Sequence, residues 1–370
     1  MILNYKINKE NHYITFCKSN KLDLISKSIE KIHSDKNILF IFDSKVEKRI
    51  VDLIHEELKL SGCNIYTFSC EGGKVNKNEK LLFKIIDFLI EKKFTKKSII
   101  ISFGGGVVGD VSALASSLYL RGLYYYCIPS TMTSMVDSSI GGKTAINYRK
   151  ITNSVGTYYH PKNIFILEQV MLNLPDREFF SGFAEVIKCG LIDKNNILKY
   201  LIKHKKNLIK RNFSNLTKIC SLALKKKLKF FLNDIYEKDS RLMLNFGHTF
   251  AHAIEMAVES NLKKDFIRHG EAVGLGILCE LFYANKSKTK LYYSVRNLLK
   301  EFYLPTLLDL KKIKVNSKKI QNDIYKNIFL DKKRIDKYPR YINIKNIGKP
   351  SIREIKDFDF LNDVIIEIIK

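Results

Sequence analysis

Between Ser98 and Asn147 the chain reads SIIISFGGGVVGDVSALASSLYLRGLYYYCIPSTMTSMVDSSIGGKTAIN. The apolar run Ile99 to Phe103 has the length and boundaries of a buried strand. It ends in Gly104-Gly105-Gly106, and a run of small residues from about Asp110 to Leu120 predicts a helix. Strand, glycine turn and helix form the repeating unit of open α/β sheets, in which the helix N-terminus offers backbone N–H groups to a phosphate. The triple glycine is not GxGxxG, so a tight turn without a ligand is the competing reading. Tyr124 to Ile128 predicts the next strand, ended by Pro129-Ser130-Thr131. The stretch Asp137-Ser138-Ser139-Ile140-Gly141-Gly142-Lys143-Thr144 then combines a carboxylate, hydroxyls, glycines and a lysine, a polar and cationic loop suited to a polyhydroxylated anion.

The flanking sequence extends this pattern. Ile2 to Ile7 and His12 to Phe16 alternate as a hairpin does. Helical periodicity at Leu22–His33, Val46–Leu58 and Glu79–Lys92 is interleaved with strand-like runs at Asn37–Phe42, Asn64–Phe68 and Asn163–Leu167. Such alternation predicts a Rossmann-like, doubly wound parallel sheet. Asp43, just after an early strand, suits either a ribose hydroxyl or a helix N-cap. From Asp176 onward the pattern is helical almost throughout, with one short strand at Tyr341–Ile344. The expected organisation is an α/β N-terminal domain over 1–168 and an all-helical C-terminal domain over 169–370, with ligands bound in a cleft between them.

A formal net charge of +26 raises the question of nucleic acid. The lysines are nevertheless spread along the chain among Asn, Ile and Asp, and basic runs such as Leu224–Lys229 are short. No nucleic-acid partner is expected; the positive field favours capture of an anionic metabolite. No apolar run approaches about 18 residues, and MILNYKINKENH lacks a signal-peptide core. The expectation is a cytoplasmic protein with no membrane contact. Cys17, Cys63, Cys70, Cys127, Cys189, Cys220 and Cys279 form no CxxC pair, which predicts free thiols in a reducing compartment.

Three histidines stand in suggestive company. His248 and His252 are four residues apart and share a helical face, and His269 opens the next helix. Glu185 lies on an earlier helix with Lys188 one turn on. Two imidazoles and a carboxylate are a usual catalytic zinc set. Because the groups come from separate helices, spacing alone favours ordinary interhelical polar contacts over a metal site.

GGGVVGD, DSSIGGKTAIN, AEVIK, LNFGHTFAHAIE and HGEAVGLG occur here in that order. As an ordered set spanning about residues 37–350, they resemble the 3-dehydroquinate synthases of the sugar phosphate cyclase family. The resemblance implies a divalent metal ion, Zn2+ or Co2+, held by Glu185, His248 and His269, with His252 nearby as a proton-handling residue and not a ligand. It implies NAD contacts from Asp43, Lys77, Gly105, Gly106, Val107 and Asp110. Ser130, Thr131, Asp137, Ser138, Lys143 and Thr152 complete the implied nucleotide site. Lys143, Lys188, Lys227, Arg241, Asn245 and Asn153 stand at the family's substrate-binding positions. Arg121 stands where the family reaches a neighbouring subunit's phosphate site, which implies a homodimer. The competing readings are a solvated lysine face for Lys227 and a helix C-terminal cation for Arg121.

The implied substrate is an anionic sugar phosphate, 3-deoxy-arabino-heptulosonate 7-phosphate. The implied chemistry is oxidation by NAD, β-elimination of phosphate, re-reduction, ring opening and aldol closure. Two departures keep other members of the superfamily in play, such as a 2-deoxy-scyllo-inosose synthase, and leave an NAD-dependent polyol dehydrogenase as a further alternative. Lys74 stands where relatives usually carry a glutamate, and Thr152 where they usually carry a lysine. Asp331-Lys332-Lys333 resembles the family's late phosphate-binding motif.

Overall fold

The structure, a computed structural model, describes residues 1–30, 37–60, 62–149, 151–194, 196–262, 266–310, 316–330 and 338–369. The motif at 331–333 lies outside the described residues. The chain divides into two units, Met1–Pro175 and Asp176–Lys370.

In the first unit, β1 (Ile2–Ile7) and β2 (Glu10–Cys17) form the expected antiparallel hairpin. The remaining sheet strands are β3 (Asn37–Asp43), β4 (Asn64–Cys70), β5 (Ile99–Gly104), β6 (Tyr124–Pro129) and β9 (Asn163–Leu167). Among the described residues they order as β1-β2-β9-β6-β5-β3-β4, and every neighbouring pair except β1–β2 runs parallel. Strands β5 and β9 are buried along their whole length, which is why they read as unbroken apolar runs and not as alternating ones. Helices α1 (Asp23–Glu30), α2 (Lys48–Leu60), α3 (Glu79–Glu91) and α5 (Glu168–Asn173) accompany the sheet.

Two features of this unit differ from the expectation. Helix α4 spans Gly106–Leu118 and so begins at the third glycine, about one turn before Asp110. Gly106 and Gly109 in its first turn mask the helical pattern, since glycine weakens an isolated helix. The polar stretch after Ser139 is not simply a loop: Lys143 opens β7 (Lys143–Tyr148), which pairs antiparallel with β8 (Ile151–Tyr158). Residues 151–157 of β8 are all exposed, so this strand has no buried face to impose an alternating pattern.

The second unit is helical with one small hairpin. Helices α6 (Asp176–Ser181) and α7 (Phe183–Ile192) are separated at Gly182. Then follow α8 (Ile197–Ile209), α9 (Phe213–Asn233), a 3-10 turn (Ser240–Asn245), α10 (His248–Leu262) and α11 (His269–Asn285). Helices α12 (Lys290–Glu301), α13 (Ser317–Phe329) and α14 (Phe358–Glu367) complete it, with β10 (Arg340–Ile344) paired to β11 (Pro350–Glu354). The hairpin's second strand opens on proline and was not evident in the sequence. All ten residues of α7 are buried, and most of α11 is. A helix apolar on every side is a core helix, so the charges of Glu185 and Lys188 are carried inside the core.

All seven cysteines are free thiols, and all but Cys63 are buried. No described helix is long and apolar enough to cross a membrane.

Candidate active site

Strand β3 connects outward to β4, while β5 continues the sheet on the opposite side toward β6. The order of strands therefore reverses between β3 and β5, and ligands of open α/β sheets bind beyond the carboxyl ends at such a reversal. Asp43 ends β3 and Gly104 ends β5. The Asp43 carboxylate accepts from the N–H groups of Lys45 at 3.0 Å and Gly72 at 3.3 Å. It is thus tied to the turn after β4 and does not cap α2. Gly105 is the extended N-cap residue of α4 and has no side chain with which to cap it. The first N–H groups of α4, from Gly106 and Val107, point out of the helix as a helix start dictates. A Cβ on Gly105 would meet the Thr131 methyl at 3.1 Å. A hollow here is lined by Gly105, Gly106, Asp110, Ser138, Ser139 and Lys143, among others.

The other predicted residues of this unit fall around the same loops. Ser130 N–H donates to the Gly104 carbonyl at 2.8 Å, and Thr131 is bonded to Ser134 at 2.7 Å between hydroxyls. Asp137 and Ser138 lie in the single π turn Ser134–Ser138. Lys77 is buried, and its ammonium donates to Asp110 Oδ2 and to Asn153 Oδ1, both at 2.5 Å. Asn153, held at φ 51°, donates its own N–H to Asn147 Oδ1 at 2.9 Å. Asn147 in turn donates its N–H to the Lys77 carbonyl at 2.8 Å. Lys77, Asn147 and Asn153 thereby tie the β7–β8 hairpin to the turn before α3. Thr152 is exposed on β8, beside this network. Arg121 is exposed, and both it and Leu120 adopt positive φ, 64° and 48°.

In the second unit the side chains converge. Ligand atoms of Glu185, His248 and His269 lie within 4.8 Å of one another. Glu185 Oε1 is 3.6 Å from His248 Nε2 and 3.4 Å from His269 Nε2. Two ligands about 2.0–2.1 Å from one tetrahedral ion stand roughly 3.3–3.4 Å apart, so the spacing fits a divalent metal with small adjustment. Glu185 is 1% exposed, and neither of its oxygens accepts a well-aligned hydrogen bond. Lys188 forms an ion pair with its Oε2. A carboxylate buried this deeply demands a cation. Lys188 supplies one charge, and the cluster has room for another.

Glycines allow the convergence. A Cβ on Gly270 would sit 1.8 Å from the Ser181 carbonyl oxygen, and one on Gly276 would sit 1.9 Å from the Gly247 carbonyl oxygen. The first contact seats the start of α11, with His269, against α6. The second lets α10, with His248, lie close along α11.

Burial on its own would lower the His269 pKa, but the facing carboxylates of Glu255 and Glu185 push it up to about 10. The His252 ring lies 5.5 Å from that of His248 and 6.3 Å from that of His269, beside the ligand group and outside it.

Of the lysine run 225–227, Lys225 is exposed, Lys226 pairs with Asp193, and Lys227 is buried. Arg241 is 2% exposed; it donates to the Ile235 carbonyl at 2.5 Å and lies over the Phe231 ring at 5.0 Å. Asn245 donates its amide to Glu237 Oε1 at 2.8 Å. Asp234 shapes this loop by accepting from the N–H groups of Lys238, Asp239 and Arg241. Sequence reading missed Asp234, Glu237 and Glu255. Only Glu255 left a trace, seven residues after His248 and hence on the same helical face.

The family model described as "3-dehydroquinate synthase N-terminal" matches residues 67–181, and its C-terminal counterpart matches 182–334. The 3-dehydroquinate synthase of Clostridium tetani is 35% identical over 358 residues, covering 94% of this chain and 90% of that protein. That of Clostridium kluyveri is 36% identical over 371 residues, covering 96% and 98%. A solved 2-deoxy-scyllo-inosose synthase, complexed with carbaglucose-6-phosphate, NAD+ and Co2+, shares the fold with a TM-score of 0.84 at 22% identity, covering 99% of each chain. The 2-epi-5-epi-valiolone synthase of Streptomyces hygroscopicus subsp. jinggangensis 5008, with NAD+ and Zn2+ bound, gives 0.83 at 20% identity and 98% coverage of each chain. Two adjacent family matches and near-complete alignment to relatives above 30% identity leave one placement: the chain belongs to the 3-dehydroquinate synthase family.

Proposed function

We propose that this chain is an NAD- and metal-dependent lyase that converts 3-deoxy-arabino-heptulosonate 7-phosphate to 3-dehydroquinate and phosphate, in the shikimate pathway. The observation that carries the reading is the buried Glu185–His248–His269 group, in a chain that aligns almost end to end with 3-dehydroquinate synthases. Glu185, His248 and His269 would hold Zn2+ or Co2+. The N-terminus of α4, with Gly105, Gly106 and Val107, would hold the NAD pyrophosphate. When bound, NAD supplies a reversible hydride acceptor and the divalent ion supplies Lewis-acid polarisation of a substrate oxygen.

The chain's own groups bind and orient. Lys188, Lys227 and Arg241 are buried cations for a substrate that carries both phosphate and carboxylate. Asn245 supplies a neutral donor and acceptor, and His252 moves a proton at the substrate's hydroxyls. Lys143 and Asn153 of the first unit stand at family substrate-binding positions as well. Arg121, on an exposed and strained turn, serves the neighbouring subunit of a homodimer. The setting is cytoplasmic. Fixing the reacting groups and excluding water is the larger part of what a protein adds to chemistry of this kind.

The test is incubation of purified protein with NAD+, Zn2+ or Co2+, and the heptulosonate phosphate. Dehydroquinate and phosphate should form in equal amounts with no net accumulation of NADH. Accumulating NADH would mean a polyol dehydrogenase. Thr152 favours a second reading, a related cyclase acting on another sugar phosphate, which the same assay with hexose and heptulose phosphates separates by product.

A further inference from the structure

The two candidate ligand histidines present the same ring nitrogen to Glu185, but the opposite nitrogens meet different partners. His248 Nδ1 faces the Phe246 carbonyl at 3.2 Å. His269 Nδ1 faces both carboxylate oxygens of Glu255, each at 3.4 Å. Neutral imidazole carries one N–H. An acceptor at Nδ1 keeps the last proton there, so that the proton a metal displaces is the one at Nε2. Both rings are thus set in the tautomer that a metal needs at Nε2, one by a backbone carbonyl and the other by a full negative charge.

Glu255 is 5% exposed and lies on α10 two turns beyond His248. A carboxylate at that depth is costly unless something in the structure uses its charge. The His269 ring, on the neighbouring helix α11, is what it faces. The contact is symmetric and long, placing the carboxylate squarely behind the ring and on the side away from Glu185. Glu255 is not among the grouped ligand atoms of the described residues, and its contact with His269 joins it to that group.

We propose that Glu255 is a positioning residue of the metal centre: it fixes the orientation and tautomer of His269 and strengthens its Nε2 as a donor, without itself being a ligand. The proposal rests on the metal reading given above.

The test measures Zn2+ affinity by competition with a chromophoric chelator, and the visible spectrum of the Co2+ form, in wild type and Glu255→Gln. Carboxylates behind ligand histidines are typically worth about 10–100-fold in metal affinity, and a loss in that range is expected in the pH-independent affinity, obtained from a pH series that separates proton competition at His269. The metal-free thermal midpoint should move by no more than a few degrees, and the Co2+ spectrum should change shape. In a His269→Ala background, Glu255→Gln should weaken binding no further, because the ring it acts through is gone. Unchanged Zn2+ affinity in Glu255→Gln would overturn the proposal, and so would the same fold-loss in the His269→Ala background. If Glu255→Gln does not fold, Glu255→Asp takes its place, keeping the charge but withdrawing it by one methylene: weaker binding supports the proposal and equal binding overturns it. Wild-type protein that binds no Zn2+ removes the metal reading and this proposal together, whereas normal wild-type binding with an unaffected variant removes the proposal alone.

Discussion

The two units build their candidate sites by opposite means. The first uses a contiguous stretch of backbone: β5, the triple glycine and the N-terminus of α4 occupy neighbouring positions in sequence. The second uses side chains from α7, α10 and α11, which lie tens of residues apart and meet only through packing. A backbone-built site spreads its contacts over many N–H groups and tolerates the loss of any one side chain. A site built from three side chains fails when one is removed. The largest expected difference follows from that. His269→Ala, or chelation of wild type, should lower turnover by about 10^3-fold or more, the scale of losing a Lewis acid worth several kcal/mol. Ser138→Ala in the first unit should weaken NAD binding by about tenfold or less, one hydrogen bond's share. Comparable losses from the two variants would break the contrast.

The same contrast decides what could be read from the sequence. Strands β3, β5, β6 and β9 are buried apolar runs with clear ends, so they are legible in the sequence. Strand β8 is not, because a strand exposed on both faces follows no burial period. The start of α4 at Gly106 was hidden because its glycines oppose helix formation locally and yield only to tertiary packing. In the second unit the residue types of the metal group were visible, but their meeting was not. That meeting depends on Gly247, Gly270 and Gly276, which let three elements approach within backbone contact. Glu237 and Asp234 act through loop geometry that no spacing rule encodes.

Those approaches give the next test in order of size. Gly270→Ala places a methyl 1.8 Å from the Ser181 carbonyl oxygen, so backbone must move. Overpacking of this kind costs about 3 kcal/mol, the upper end of its usual range, and should also weaken Zn2+ binding by displacing His269. Gly106→Ala meets only the Ser138 hydroxyl, at 3.2 Å, which can rotate aside. Its effect on the thermal midpoint should be small and of either sign, since alanine favours the helix. A midpoint that falls as far for Gly106→Ala as for Gly270→Ala would show that both units depend equally on close backbone approach.

The acid–base behaviour of the second unit sharpens the comparison further. His269 is pushed up to about 10, against an ordinary value of 6.5, when no metal is bound. Its contribution to the stability of the metal-free protein is therefore fully present below about pH 6.5 and is lost as pH rises through about 10. Metal binding runs the other way, because the ion must displace the His269 proton. Apparent Zn2+ affinity should rise by about tenfold per pH unit from neutrality toward 10. Thermal midpoints of metal-free protein and chelator competition, measured across the same pH series, should move in opposite directions. Glu255→Gln should flatten both, and a flat wild-type profile would show that His269 is not held as a cation.

The smallest effect expected is at Thr152, where the resemblance implies a lysine. Thr152 is exposed on β8 while its neighbour Asn153 is tied to Lys77 and Asn147. Thr152→Lys therefore adds a solvated cation to a strand whose backbone is already fixed, and should leave stability within about 0.5 kcal/mol. A unit charge about 4 Å from an anion in water is worth about 1 kcal/mol, so kcat/KM for the heptulosonate phosphate should rise by about fivefold. A rise of a hundredfold or more would exceed anything an exposed charge supplies. It would mean that the wild-type hairpin is shaped for a different sugar phosphate, and the first unit, by a side chain and not by its backbone, would then set the specificity.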